Sequence, residues 1–166
     1  MEASGTGNMK LAMNGALTIA TLDGANIEML ERIGSDNMYI FGLTAEQIAE
    51  QQARAFQPRE IYDADPRIRR VIDVLSSDRF SPNEFGLFRW VYETMVYRDR
   101  YFHLADLPSY IETHERAQRD FSDRENWSRR TMLSVARMGK FSSDRTIVEY
   151  ARDIWNLAKE RHTAAV

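Results

Sequence analysis

The chain contains no cysteine and no long apolar run. The first absence excludes disulfides, thiolate metal sites and cysteine nucleophiles, and we expect a protein of this kind in a reducing cytoplasm. The second leaves no candidate for a membrane span, which needs about 18 consecutive apolar residues. The start of the chain also lacks the basic region and apolar core of a secretory signal, so no such signal is predicted.

An excess of positive charge is also missing, because the net charge is −3 and the pI is near 5.7. Nucleic-acid binding depends on clustered Lys and Arg, so no nucleic-acid partner is predicted. Two arginine clusters, within residues 67–70 and 129–130, alternate with acidic residues and are interpreted as solvated helix faces. The three histidines lack the spacing of metal ligands, which predicts no metal site; they are His103, His114 and His162.

A strand–helix–strand pattern occupies the first quarter of the chain. Residues 17–20 and 38–41 are short, apolar and bounded by turn residues, as strands are. Between them, Asp23 is predicted to cap a helix over residues 26–32, which Gly34 ends. This order predicts a βαβ unit with a parallel sheet. Two strands do not make a stable sheet, so the sheet is predicted to be incomplete.

The rest of the chain has the spacing of helices. Capping residues and apolar periodicity predict helices that begin after Thr44, at Pro66, at Asn83 or Glu84, at Asp106, at Arg124 and after Ser142. The fold class is therefore α/β, mostly helical. A length of 166 residues suits one domain. We predict a single partial domain over 1–166, with a loop and βαβ segment in 1–42 and a helical segment in 43–166.

The stretch EASGTGNMK, residues 2–10, combines a carboxylate, small residues, two glycines and one lysine. A loop of small residues that leads into a helix can bind phosphate through backbone N–H groups and the helix dipole. It matches neither the dinucleotide fingerprint, whose third glycine is replaced by Lys10, nor the P-loop. By itself, the loop is equally compatible with a flexible tail that ends in a helix cap.

Lys10 is the candidate nucleophile of this stretch. Its neighbours are apolar, which predicts partial burial, and desolvation lowers the pKa of a lysine. The alternative is a surface lysine whose stem lies on the core. A nucleophilic lysine about one helical turn from a phosphate-binding loop is typical of a site that holds pyridoxal phosphate as a Schiff base.

Several motifs resemble those of the α-glucan phosphorylases, the family of glycogen, starch and maltodextrin phosphorylases. They are EASGTGNMK at 2–10, NGALT at 14–18, LDGAN at 22–26, IFG at 40–42 and GKFSSDRTI at 139–147. The resemblance runs along essentially the whole chain. It implies the C-terminal part of the second Rossmann-like domain of a GT-B type glycosyltransferase, with most of the sheet and the substrate-phosphate site in other parts of the enzyme.

The resemblance also implies a role for each residue of the first motif. Lys10 would carry pyridoxal 5'-phosphate and be the catalytic lysine, while Thr6 and Gly7 would bind the phosphate of that cofactor. The residues that would bind the glucosyl unit of the substrate are Glu2, Ala3, Ser4 and Gly5. Carboxylates suit sugar hydroxyls and backbone donors suit phosphate oxygens, so the residue types agree with these roles.

The implied activity is the phosphorolysis of α-1,4-glucan by phosphate, which gives glucose 1-phosphate and belongs to glycogen metabolism. The chain by itself is expected to be inactive, because its resemblance does not extend to the substrate-phosphate site. Unpaired strand edges and apolar surface also predict self-association. The regulatory sites of this allosteric family lie mostly outside the segment.

Two other functions are compatible with the sequence. One is a non-catalytic helical interaction module that kept the sequence and lost the chemistry. The other is a pyridoxal phosphate-binding remnant, which would need only half of the active site. An upstream reading frame in phase with this one would favour the phosphorylase over both.

Overall fold

Helices dominate the computed structural model, which describes residues 5–157. Short 3₁₀ turns at Ser35–Asn37, Asp78–Phe80 and Met138–Phe141 connect the main elements. Along the described part of the chain these elements are α1 (Thr6–Met13), β1 (Ile19–Thr21), α2 (Ala25–Ile33), β2 (Tyr39–Phe41), α3 (Ala45–Ala53), α4 (Pro58–Ala64), α5 (Pro66–Ser76), α6 (Arg89–Arg98), α7 (His103–Ser122), α8 (Arg124–Arg137) and α9 (Ser143–Asp153). No helix within residues 5–157 is long and apolar enough to cross a membrane.

The predicted βαβ unit is confirmed. β1 and β2 pair in parallel, with Ile19 opposite Tyr39, and α2 connects them. The predicted cap of α2 is wrong, because Gly24 occupies that position with φ +50° and no side chain caps the helix. The Asp23 carboxylate instead accepts a hydrogen bond from the Thr21 hydroxyl at 3.0 Å. This bond keeps the carboxylate at the end of β1.

Two apolar clusters form the core of the described residues. One surrounds the βαβ unit and consists of Ala12, Met29, Ile33, Met38 and Met138. The other lies among α4–α7 and consists of Tyr62, Ile68, Ile72, Val96 and Leu104. The first cluster joins α1 and α2 to the turn that follows α8. The helical segment therefore packs back onto the first 42 residues.

Three local capping predictions are confirmed, and in each the cap and its partner are two or three residues apart. The Thr44 hydroxyl accepts from the Gln47 N–H while the Gln47 side chain accepts from the Thr44 N–H, which is a capping box. Asp65 caps α5 ahead of Pro66, and Ser142 caps α9. The helix predicted from Arg124 is α8.

Two predicted helix starts are wrong. The helix expected from Asn83 or Glu84 begins only at Arg89, because residues 81–88 form turns in which the Asp78 carboxylate accepts from the Gly86 N–H at 2.6 Å. The helix expected from Asp106 begins three residues earlier, at His103. There the Asp99 carboxylate accepts from the N–H groups of the first two helical residues, at 2.9 and 2.7 Å. α4 was not predicted.

The interpretation of the arginine clusters holds for most members and is wrong for Arg130. Arg67, Arg69, Arg70 and Arg129 are exposed, as expected of solvated faces. Arg130 is only 8% exposed. It is paired with Asp120 at 2.9 Å, which compensates its buried charge. Histidines 103 and 114 are exposed, whereas His162 lies outside the described residues.

Asp106 holds the turn that follows β2. Its carboxylate accepts from the Leu43 N–H at 2.7 Å, and the Ser109 hydroxyl accepts from the Gly42 N–H at 2.7 Å. Gly42 has φ +84°, and a Cβ at this position would lie 3.0 Å from the Asp106 carboxyl carbon. Glycine is therefore required both by the backbone conformation and by the close approach of α7.

We expect Asp106→Ala to lower the free energy of unfolding by about 1–2 kcal/mol, because the Leu43 N–H loses its acceptor. Asp106→Asn keeps an acceptor oxygen and should be at least as stable as wild type at pH 7. Burial raises the pKa of the Asp106 carboxyl, an effect that the hydrogen bond from Leu43 opposes. Denaturant unfolding of the three proteins measures both changes.

The raised pKa of the Asp106 carboxyl also determines how its contribution to stability changes with pH. The contribution of Asp106 to stability is fully present below the unfolded pKa of about 3.9 and is lost as the pH rises through the folded pKa. Any advantage of Asp106→Asn over wild type should therefore disappear below about pH 4. An advantage that grows as the pH falls would contradict this account.

Candidate functional site

The N-terminus of α1 is fixed to the end of β1 by two asparagines. The Asn8 amide donates to the Asn26 side-chain oxygen at 2.8 Å. The Asn26 amide donates to the Thr21 carbonyl at 3.2 Å and approaches the Asp23 carboxylate at 3.5 Å. Asn26 is only 6% exposed, so its geometry is set by packing as well as by these bonds. The first turn of α1 consequently has a defined position next to the sheet.

Lys10 shares one face of α1 with Thr6 and Met13, because residues three and four apart lie above one another on a helix. This face borders a pocket of about 360 Å³, which we call the Lys10 pocket. The opposite wall of the Lys10 pocket comes from the turn before α9. The residues that line it are Thr6, Met9, Lys10, Met13, Phe141, Ser142 and Ser143.

The expectation that Lys10 is partly buried is wrong, because the residue is exposed. Within residues 5–157 its amine makes no hydrogen bond or ion pair. The apolar neighbours that suggested burial pack against the core without burying Lys10: Ala12 is fully buried, and Met9 and Met13 pack against the first core cluster. α1 therefore packs against the core through its apolar side chains, while Lys10 faces the Lys10 pocket.

The first turn of α1 has the properties of an anion-binding helix end. The first N–H groups of a helix have no partner within it, and the helix dipole places partial positive charge there. No acidic residue lies in the first turn of α1. Among residues 5–157, nothing lies within 4 Å of a Cβ added to Gly7, so these residues leave open space above this backbone.

The structure places some predicted site residues and not others. Thr6 and Gly7 lie in the first turn of α1, both exposed, and Gly5 is the residue that precedes it. Thr6 and Lys10 line the same pocket. The predicted substrate-binding residues Glu2, Ala3 and Ser4 lie outside the described residues.

Two features of the site were not predicted. Asn8 and Asn26 position the helix, and their pairing connects two motifs 18 residues apart in sequence. The segment 141–143 lines the Lys10 pocket although it was interpreted only as a helix cap. It does cap α9, where the Ser142 hydroxyl accepts from the Asp144 N–H at 3.2 Å. These residues fall within the quoted motifs EASGTGNMK, LDGAN and GKFSSDRTI, and membership of those motifs was the signal in the sequence that could have identified them.

Residues 1–157 match the family model of the carbohydrate phosphorylases. The chain belongs to the carbohydrate phosphorylase family. Curated members include the glycogen phosphorylase of Synechocystis sp., which is 48% identical over 154 residues, and that of Chlamydia pneumoniae, which is 51% identical over 158 residues. The muscle form of rat glycogen phosphorylase is 44% identical over 160 residues.

These alignments cover nearly all of this chain but little of each relative. They include 93–96% of the chain and 18–19% of the three glycogen phosphorylases. The chain thus spans about a fifth of the length of these carbohydrate phosphorylases.

Proposed function

We propose that this chain is the C-terminal part of a pyridoxal phosphate-dependent α-1,4-glucan phosphorylase. The full enzyme would convert glucan and phosphate to glucose 1-phosphate. The observation that carries this proposal is the convergence of Thr6, Lys10 and the segment 141–143 on one pocket, in a chain of the carbohydrate phosphorylase family. The GT-B architecture and the cytoplasmic location are part of the same proposal, and the self-association expected from the sequence stays a prediction.

The residues present fit pyridoxal phosphate. The cofactor requires a primary amine for its aldehyde and a cationic or N–H-rich end for its phosphate. Lys10 is exposed to the Lys10 pocket, and the first turn of α1 lies one helical turn before it. The open space above Gly7 leaves room for a phosphate to approach the backbone.

Each residue has a distinct role in this proposal. Lys10 would anchor the cofactor, and Thr6 and Gly7 would hold its phosphate. When bound, the cofactor would supply that phosphate as an acid or electrostatic group next to the phosphate of the substrate. Gly5, with the undescribed residues Glu2, Ala3 and Ser4, would bind glucosyl hydroxyls. Asn8 and Asn26 would keep the phosphate-binding turn in place.

Incubation with pyridoxal phosphate followed by borohydride reduction should modify Lys10 selectively. The chain contains two other lysines, Lys140 and Lys159, which serve as internal references. Selectivity is expected because Lys10 follows the first turn of α1, the helix end proposed to bind the phosphate of the cofactor. Peptide mapping by mass spectrometry measures the fraction of each lysine that carries the adduct.

A glycine-to-alanine pair provides the matched control. Gly7→Ala adds a methyl group where the phosphate would approach and should lower Lys10 labelling several-fold, while the helix itself gains up to about 1 kcal/mol. Gly139→Ala adds the same group in equally open space outside the pocket lining and should leave labelling unchanged. Equal labelling of Lys10 and Lys140, or no response to Gly7→Ala, would overturn the assignment of the cofactor site.

A further inference from the structure

A second pocket, larger than the Lys10 pocket, lies next to the start of β2. It has a volume of about 540 Å³ and is bordered by the 3₁₀ turn Ser35–Asn37, by α7 and by α8. None of its lining residues lines the Lys10 pocket. The start of α1 lies next to the end of β1, where the Asn26 amide donates to the Thr21 carbonyl, whereas this pocket lies at the start of β2. Because β1 and β2 are parallel, the pocket and the start of α1 lie at opposite ends of the strand pair.

The lining of this pocket is strongly basic. It includes two carboxylates, Asp36 and Asp120, and four arginines: Arg116, Arg129, Arg130 and Arg137. The lining thus has two more cationic than anionic side chains, although the whole chain has a net charge of −3. We call this concavity the arginine pocket. Arginines whose only role is to keep a protein soluble are expected to be spread over its surface and not to line one pocket.

Three of the four guanidinium groups are held in place by the fold. Arg130 donates to Asp120 at 2.9 Å, and Arg137 donates to the Ile33 carbonyl at the end of α2 at 2.6 Å. The Arg116 guanidinium lies 5.4 Å from the centre of the Tyr39 ring. Guanidinium groups that are already fixed lose less conformational entropy when an anion binds.

The arginines of this pocket keep unused N–H donors after these contacts. Each guanidinium has five N–H donors, and Arg137 uses one of its terminal nitrogens on the Ile33 carbonyl. Within residues 5–157 the Arg129 side chain makes no hydrogen bond or ion pair. Asp120 is occupied by Arg130 and by the Tyr39 hydroxyl, so it compensates little of the remaining charge. Asp36 is the other acid of the lining and is exposed.

The charge and the volume together define the ligand class. An excess of two positive charges matches the dianion of a phosphate monoester, and arginine binds phosphate through paired N–H groups. A volume of about 540 Å³ lies within the usual range of small-molecule sites, about 300–1,000 Å³, and is far larger than phosphate alone requires. The remaining space suits the organic part of a small phosphate monoester.

We propose that the arginine pocket is a binding site for a small organic phosphate monoester, separate from the site at Lys10. Arg129 supplies the adaptable contact, and Arg116, Arg130 and Arg137 supply the fixed ones. Occupation of the pocket joins α7 and α8 to the turn before β2. This site does not depend on the phosphorylase assignment.

Glycerol 3-phosphate is a suitable probe, with uncharged glycerol as its control, and Trp127 is a suitable reporter. The Trp127 ring stacks on the Tyr39 ring with centroids 6.3 Å apart. The other two tryptophans are exposed, so the substitutions Trp90→Phe and Trp155→Phe leave Trp127 as the only tryptophan that contributes to the fluorescence. At constant ionic strength, glycerol 3-phosphate should give a saturable change in fluorescence and glycerol none.

Three charge variants assign the binding to this pocket. Arg129→Gln should weaken binding at least about tenfold, because a charge-assisted bond is lost from a side chain without structural partners. Arg119→Gln removes the same charge from α7 outside the lining and should change nothing. Asp36→Asn removes a repelling carboxylate and should strengthen binding about threefold.

Any of several results would overturn the proposal. These are no saturable response to glycerol 3-phosphate, an equal response to glycerol, unchanged affinity in Arg129→Gln, or an equal loss in Arg119→Gln. Arg129 and Arg119 are both exposed, so neither variant is expected to impair folding. The borohydride labelling of Lys10 should be unaffected by Arg129→Gln, which separates a failure here from a failure of the cofactor site.

Discussion

Asp120→Leu is expected to lower the free energy of unfolding by about 2–3 kcal/mol, because it leaves the buried Arg130 without its counter-charge. Asp120 accepts from Arg130 at 2.9 Å and from the Tyr39 hydroxyl at 2.7 Å. The Arg130 side chain is 10% exposed and the Asp120 side chain is 35% exposed. Because this ion pair is only partly buried, we expect the loss of stability to lie at or below the lower end of the range for broken buried ion pairs. Denaturant unfolding at pH 7 measures the loss.

Removal of all three polar groups should restore most of that stability. Tyr39→Phe combined with Asp120→Leu and Arg130→Met replaces a buried ionic network by apolar groups of similar size. Such replacements are often neutral or stabilising, so we expect the triple variant within about 1 kcal/mol of wild type. A triple variant as unstable as Asp120→Leu would show that packing, and not the unpaired charge, causes the loss.

The pH dependence of this effect follows from the pKa of Asp120. The Tyr39 hydroxyl and, to a smaller extent, the Arg130 guanidinium hold the pKa of this carboxyl below its usual range. Its contribution to stability is therefore present above the unfolded pKa of about 3.9 and is lost as the pH falls through the folded pKa. The difference between wild type and Asp120→Leu should shrink at acidic pH.

The purified 166-residue chain should form no detectable glucose 1-phosphate from glycogen and phosphate. Catalysis would bring the phosphate of the cofactor and that of the substrate together, and this requires fixed positive groups. Lys10 is the only cation that lines the Lys10 pocket within the described residues, and in this proposal it binds the cofactor aldehyde. Loss of a single preorganised donor commonly costs about 10²–10³ in rate, so loss of a whole phosphate site should abolish turnover.

An assay coupled to glucose 1-phosphate consumption measures this result, with a muscle glycogen phosphorylase as positive control. The chain should be saturated with pyridoxal phosphate, so that lack of cofactor does not explain inactivity. Turnover that depends on Lys10 would contradict the prediction and would show that this fifth of a phosphorylase contains a complete active site. Inactivity together with selective Lys10 labelling is the combination that we expect.

Predictions from sequence succeeded where the interacting groups are close along the chain. The capping box at Thr44 and Gln47, the cap of α5 by Asp65 and the cap of α9 by Ser142 each join residues within one helical turn. The parallel βαβ unit also follows from a local order of turn residues and apolar runs. Short sequence separation makes these contacts nearly independent of the rest of the fold.

Predictions failed at several positions, and at one of them the partner is a distant group. Asp106 has the composition of an N-cap, but it lies within the first turn of α7 and accepts from Leu43, 63 residues earlier. Asp99 is the true acceptor at the start of α7 and was missed. Lys10 was expected to be partly buried because its neighbours are apolar, yet Lys10 is exposed while Met9 and Met13 pack against the first core cluster.

The sequence by itself determined the family, three local helix caps, and the candidate lysine with the turn proposed to bind phosphate, because motifs and caps are encoded within a few adjacent residues. Only the tertiary structure decided that Arg130 is buried, since its partner Tyr39 is 91 residues away. It also decided that segment 141–143 borders Lys10 and that four arginines converge on one pocket. The physical reason is that burial and charge pairing depend on which helices pack together, which no local pattern specifies.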